Sequence, residues 1–150
     1  MDGDLTFLSA IDAAESMKTG KFSSEQLVSQ YFARIDETND VVNAWAYLDR
    51  EGALERARQA DWFRKSGRSL GVLHGVPVGI KDIIDVRGMP TGLGNANVGG
   101  AIAKDSARIV EFLLEAGAVI IGKTATCELG YMTPAETANP NNVEYSPGGS

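Results

Sequence analysis

Lys81 stands at a position where lysine is uncommon. It ends the apolar, glycine-spaced stretch GVPVGIK of residues 75–81, which predicts a β-strand. A lysine at a strand end ordinarily keeps its ammonium group in water. The alternative is a neutral amine acting as a general base, which costs about 4 kcal/mol relative to the charged form and requires burial among backbone dipoles and hydroxyl groups. Because neighbouring strand residues face opposite sides, Asp82 is not automatically its partner.

A second candidate for chemistry is SPGGS, residues 146–150. Its two glycines allow unusual backbone conformations and a close approach to a substrate, and Ser150 adds a hydroxyl group. Taken alone, the segment predicts a turn that ends a loop.

Two glycine-rich stretches resemble nucleotide-binding motifs. GAVIIGKT, residues 117–124, satisfies the P-loop expression, but a P-loop follows a strand and precedes a helix. Here a predicted helix precedes the motif, and three of its four variable residues are β-branched, which favours a strand. GLGNANVGG, residues 92–100, has asparagine where a dinucleotide fingerprint needs its third glycine. We therefore predict a strand and a loop, and no nucleotide site.

Cys127 and His74 are weak candidates for other kinds of catalytic site. Cys127 next to Glu128 could indicate a cysteine hydrolase of the nitrilase kind, but the surrounding residues do not resemble that family, and a lone cysteine usually packs in the core. His74 is the one histidine, and no nucleophile elbow accompanies it to complete a Ser–His–Asp site. One cysteine and one histidine also exclude a Cys/His zinc cluster within these residues.

Composition narrows the function classes further. The 150 residues are 43% hydrophobic and 23% charged, with a net charge of −6, as in globular proteins. The acidic balance disfavours direct binding of nucleic acid or an anionic membrane. The acidic start and single cysteine predict a cytoplasmic protein, and no apolar run approaches the length of a membrane span.

The first half of the chain predicts helices around one strand. Residues 9–20 predict a short helix closed by Gly20. Residues 23–37 predict a second, with a capping box formed by Ser23 and Gln26; the two would make a helical hairpin. A strand over residues 43–49 and an alanine-rich helix over 50–65, with a solvated Arg/Glu face, complete this half.

The second half predicts an α/β sheet. GVPVGI (residues 75–80) and DIIDV (82–86) read as β-rich runs, residues 88–100 as a loop, 105–117 as a helix and 118–124 as a strand. A strand, a helix and a strand in this order indicate a crossover connection. We expect one domain, in which residues 1–66 form the hairpin, strand and helix and residues 67–150 begin the sheet core.

Three long stretches together resemble the amidase signature family. They are GVLHGVPVGIKDIIDVRGMPTGLGN (71–95), DSARIVEFLLEAGAVIIGKTATCELGY (105–131) and NPNNVEYSPGGS (139–150), and their motifs fall in family order over nearly the whole chain. The resemblance implies a mixed α/β fold and an amide hydrolase with a Ser–cisSer–Lys triad and an acyl-enzyme intermediate. It implies a small-molecule amide substrate and no metal or organic cofactor.

Carried over by position, the resemblance implies that Lys81 is the general base and that Ser150 is the bridging serine with a cis peptide bond. Gly130, Tyr131, Met132 and Thr133 follow the GKT strand where the family approaches its substrate pocket, although a packed turn explains them equally well. The family's nucleophilic serine and oxyanion hole lie beyond these 150 residues. We therefore expect this chain alone to be inactive and to need the remainder of an amidase polypeptide.

Two rival functions stay open. The triad would serve equally in the glutamine-dependent amidotransferase subunit, which liberates ammonia for a partner. A non-catalytic fragment or interaction module is the rival from another class. Its truncated sheet would expose bare edges, which predicts poor solubility or association, including a homo-oligomer.

Overall fold

The computed structural model describes residues 4–131 and 133–148. Over these residues the helices are α1 (Ala10–Lys18), α2 (Ser24–Val42), α3 (Arg50–Lys65) and α4 (Arg108–Glu115), with short 3-10 turns at Leu5–Phe7 and Glu128–Gly130. The strands are β1 (Trp45–Leu48), β2 (Pro77–Lys81), β3 (Pro90–Thr91), β4 (Ala101–Ile102) and β5 (Val119–Thr124). The mixed α/β class that the sequence predicts is confirmed. None of the helices in these ranges has the length and apolar character that crossing a membrane requires.

The predicted capping box at the start of α2 is confirmed. The Ser23 amide donates to Gln26 Oε1 at 2.8 Å, and the Gln26 amide donates to Ser23 Oγ at 3.0 Å. Helix α1 is capped by Ser9, whose side chain accepts from the Asp12 amide, and Gly20 follows the helix with a positive φ of 76°. These local signals explain why the sequence indicates both helices correctly.

The described residues divide into two compact units. The first comprises residues 4–35, 49–78 and 111–121, and the second comprises 36–48, 79–110, 122–131 and 133–148. In the first unit, α1 and α2 pack Ala13, Met17 and Leu27 against Val76, which precedes β2. Helix α3 carries the predicted charged face, where Arg58 Nε lies 2.7 Å from Glu25 Oε1.

The larger sheet has the strand order β1-β5-β2. Strand β1 is antiparallel to β5. Strands β2 and β5 run in the same direction. Val76 O, just before β2, accepts from the amide of Val119 at the start of β5, and Thr124 O, at the end of β5, accepts from the Asp82 amide just after β2. Helix α4 lies between these strands in the chain, so the predicted crossover is confirmed. Strand β5 is central, and its first five residues are buried.

Two sequence-based expectations are wrong. DIIDV, residues 82–86, is not a strand but a turn and an irregular segment after β2. Residues 88–100, predicted to be a loop, contain β3, which pairs antiparallel with β4. The β-branched residues of DIIDV favour a strand locally, but the chain turns at once because the Ile84 amide donates to Lys81 O at 3.0 Å.

Both glycines of GAVIIGKT have structural roles. Gly117 follows α4 with a φ of 90°, and a Cβ there would lie 2.9 Å from the Cα of His74. At Gly122 a Cβ would overlap the carbonyl oxygen of Tyr47 on the neighbouring strand β1. The two glycines of the P-loop expression are therefore explained by the end of a helix, at Gly117, and by the close approach of strand β1, at Gly122.

Gly122→Ala should consequently destabilise the fold by about 3 kcal/mol, the upper part of the overpacking range, because the clash is with backbone in a central strand. Gly67→Ala is the control: Gly67 has a φ of 72° but no atom within 4 Å of a Cβ, so it should lose only the roughly 1 kcal/mol of left-handed strain. Denaturant unfolding of both variants measures the difference. Equal losses of unfolding free energy in the two variants would mean that β1 shifts to accommodate the added methyl group without destabilising the fold.

Candidate active site

Lys81 is the last residue of β2 and lies on the more exposed face of that strand. Gly79 is exposed and Lys81 half-buried, whereas Ile80 and Asp82 are buried. This alternation follows from strand geometry. It places Lys81 and Asp82 on opposite faces, so that Lys81 is half-buried and Asp82 is buried.

A tryptophan lies against the strand on the face of Lys81. A Cβ at Gly79 would come within 2.8 Å of the Trp45 ring and 2.9 Å of the Thr124 methyl group. Any larger residue at position 79 would have to displace the indole. The glycine two residues before Lys81 therefore has a packing reason, namely the approach of Trp45 from β1.

Asp82 forms a buried ion pair with the lysine of the GKT sequence. Lys123 is 0% exposed and Asp82 is 4% exposed, and Lys123 Nζ lies 2.9 Å from Asp82 Oδ1. The same ammonium group donates to Pro90 O at 2.8 Å and to Thr91 Oγ1 at 3.2 Å. The three donors of Lys123 thus have three acceptors, the requirement for a buried charge.

The ion pair excludes the P-loop interpretation. A P-loop lysine must reach the phosphates of a bound nucleotide, whereas Lys123 is enclosed and bound to Asp82 and β3. The other oxygen of Asp82 accepts from the Gly92 amide at 2.9 Å. The pair therefore fixes residues 90–92 beside the end of β2, and sequence reasoning missed this role because the partners lie 41 residues apart.

The turn after β5 comes close to Lys81. Cys127 precedes the 3-10 turn Glu128–Gly130, in which Leu129 and Gly130 have positive φ angles of 51° and 69°. A Cβ at Gly130 would lie 3.3 Å from Ile83 Cδ1 and 4.0 Å from Lys81 Nζ. Gly130, one of the pocket residues implied by the resemblance, is therefore a neighbour of the Lys81 amine.

The other predicted site residues are placed as follows. Tyr131 is 77% exposed, and Thr133 is exposed, with its carbonyl oxygen accepting from the Glu128 amide at 3.2 Å. Met132 and Ser150 lie outside the described residues, so their roles stay predictions.

Cys127 and His74, the candidates for other kinds of hydrolase site, are both buried. Cys127 is buried, with Sγ 3.4 Å from Tyr131 O. His74 is 8% exposed, and its Nε2 lies 3.0 Å from Ala60 O. Across residues 4–131 and 133–148, no group of three or more His, Cys, Asp and Glu side chains is arranged to hold a metal ion.

The chain belongs to the amidase family, known as the amidase signature family. A model of this family matches residues 26–150, which is most of the chain and includes β2, Lys81, the buried ion pair and the turn at Gly130. The resemblance read from the three sequence stretches is thereby confirmed.

Among curated proteins, the chain is similar to the A-type subunit of the glutamyl-tRNA(Gln) amidotransferase from Streptomyces coelicolor, with 35% identity over 98% of this chain and 31% of that protein. The protein of the same name from Salinispora arenicola is 37% identical over the same shares. Among solved structures, the native peptide amidase from Stenotrophomonas maltophilia matches with a TM-score of 0.85 and 32% identity, covering 97% of this chain and 32% of that one. The chain thus spans about a third of the length of these relatives.

Proposed function

We propose that this chain contributes the lysine half of an amidase active site. The observation that carries the proposal is the position of Lys81, on the half-exposed face at the end of β2 with Gly130 beside its amine, in a chain of the amidase family. Its neighbour Asp82 is buried and forms an ion pair with Lys123, whereas the Lys81 amine lies next to the turn after β5.

In the proposed reaction, neutral Lys81 accepts a proton from the Ser150 hydroxyl, which accepts one from the nucleophilic serine. The activated serine oxygen attacks the amide carbonyl carbon, the C–N bond breaks, and the leaving nitrogen takes a proton back through Ser150. Water then cleaves the acyl-serine ester and regenerates the serine. Ser150 carries a cis peptide bond in this proposal, as the resemblance implies.

We assign the pocket wall to Gly130, Tyr131, Met132 and Thr133. Gly130 supports this assignment because a side chain there would enter the space next to Lys81 Nζ. Because the chain spans about 31% of its curated relatives, we propose that the nucleophile and the oxyanion hole come from the remainder of a longer polypeptide. A small-molecule amide in the cytoplasm is the proposed substrate, and we propose no cofactor.

A labelling experiment tests the proposal. The intact mass of the denatured preparation is measured with and without a fluorophosphonate, which transfers its phosphonyl group to an activated serine and releases fluoride. We expect one adduct on a polypeptide that contains these 150 residues or is copurified with them. A single unlabelled species of 16.0 kDa would overturn the proposal and favour a binding role.

The amidotransferase subunit is the second candidate function. It is favoured by the curated relatives from Streptomyces coelicolor and Salinispora arenicola, which are named as glutamyl-tRNA(Gln) amidotransferase subunits of the A type, at 35% and 37% identity. Ammonia release from glutamine that requires partner subunits and a charged tRNA would support this candidate. Hydrolysis of free amides by a single polypeptide would support the amidase.

A further inference from the structure

Two turns near Lys81 are locked together. The first, residues 92–95, follows β3, and the second, residues 127–130, follows β5; we call them the paired turns. The Leu129 amide donates to Leu93 O at 2.8 Å, and Asn95 Nδ2 donates to Glu128 Oε1. A Cβ at Gly94 would lie 2.7 Å from Cys127 O, so the backbones of the two turns are in contact.

Both turns hold a leucine in left-handed backbone. Leu93 has a φ of 56° and Leu129 a φ of 51°, and in the described part of the chain only one other residue besides glycine has a positive φ. This conformation is unfavourable for leucine and persists where the surroundings enforce it. The two strained residues are the two that share the backbone hydrogen bond.

The paired turns are bound to the backbone at the end of β2 and reach the vicinity of the Lys81 amine. The first turn is anchored to the residue after Lys81, because the Leu93 amide donates to Asp82 O at 2.9 Å. The second turn ends at Gly130, where a Cβ would lie 4.0 Å from Lys81 Nζ. Asn95 and Glu128 form the side-chain link between the two turns, and their separation of 33 residues makes it a tertiary contact.

We propose that Asn95 and Glu128 are positioning residues that set the distance between Gly130 and the Lys81 amine. The inference rests on the proposed function, since it gives the pair a catalytic consequence only if Lys81 is the general base. Neither residue needs to touch substrate. Their hydrogen bond holds the second turn against the first, and the first turn is held by the end of β2.

The test uses isosteric exchange of the two side chains in the full-length enzyme. Asn95→Asp keeps the acceptor Oδ1 that takes the Asn97 amide at 2.8 Å, but it opposes a second carboxylate to Glu128. Glu128→Gln keeps an oxygen that accepts from Asn95. The double variant reverses the bond, with the Gln amide as donor and the Asp carboxylate as acceptor, and so restores it.

The readout is the rate constant for fluorophosphonate labelling of the active serine, measured on folded protein. We expect Asn95→Asp to label about 10- to 100-fold more slowly, as expected for a misplaced catalytic group. Glu128→Gln and the double variant should stay within about threefold of wild type, since the bond is kept or restored. Asn97→Asp, the same chemical change at an exposed position of the same loop, is the control and should stay within about twofold.

Asn95→Ala is the second variant, in case Asn95→Asp does not fold; it removes the donor without adding charge and should label about tenfold more slowly. A purely structural role would lower the melting temperature while folded protein labels at the wild-type rate, and that result overturns the inference. Failure of the double variant to recover also overturns it. Wild-type labelling of a Lys81→Met variant would instead refute the proposed function, which keeps the two failures distinct.

Discussion

Lys81→Met in the full-length enzyme should lower the rate of amide hydrolysis by about 10³-fold or more. Loss of a general base costs about 10²- to 10⁴-fold, and in the proposed triad the lysine would also return a proton to the leaving nitrogen. Methionine has a similar length and no ionisable group. Because Lys81 is half-buried at a strand end, the variant should fold and melt within a few degrees of wild type.

Two further variants sharpen this prediction. Lys81→Arg should be as inactive as Lys81→Met, because a guanidinium group stays protonated and cannot accept the serine proton. Lys104→Met is the matched control, since Lys104 is exposed and lies in the same unit; it should keep wild-type turnover. Steady-state ammonia release measures all three. If Lys81→Met retained activity within tenfold of wild type, Lys81 would not be the general base.

Breaking the buried ion pair should have the largest effect on stability. Asp82→Ala leaves the ammonium group of Lys123, which is 0% exposed, without its counter-charge. Removing one partner of a buried pair costs about 3–5 kcal/mol. The loss should appear as a lower denaturant midpoint, together with loosening of residues 90–92, which Asp82 and Lys123 hold through Gly92 and Pro90.

The exposed pair of Arg87 and Asp105 provides the control. Their side chains are 69% and 83% exposed, with Arg87 Nη2 3.2 Å from Asp105 Oδ1, so Asp105→Ala should cost about 1 kcal/mol or less. Combining Asp82→Ala with Lys123→Met should cost less than the sum of the single losses, because the charge is then removed with its partner. Additive losses would show that the two groups do not stabilise each other.

The helices and the strands of the larger sheet were predictable because their signals are local. The reciprocal bonds of Ser23 and Gln26 depend on residues three apart, and the β-branched run in β5 favours extended backbone wherever it occurs. Predictions from such local signals were wrong at DIIDV, which is not a strand, and at β3, which was predicted to be part of a loop. At DIIDV the turn begins at Asp82, whose side chain is bound to Lys123, 41 residues away, and β3 forms by pairing with β4. Neither partner lies within the short window that sets the local preference.

The amino-acid sequence was sufficient for the family, the strand that ends at Lys81, and the rejection of a nucleotide site at GAVIIGKT. All of these follow from the order of motifs and from residue types close together in the chain. Tertiary structure alone decided that Asp82 pairs with Lys123, that Gly130 lies beside the Lys81 amine, and that Asn95 bonds Glu128. Each of these contacts joins residues more than 30 positions apart, and the folding of β2, β5 and the turns that follow them brings the partners together.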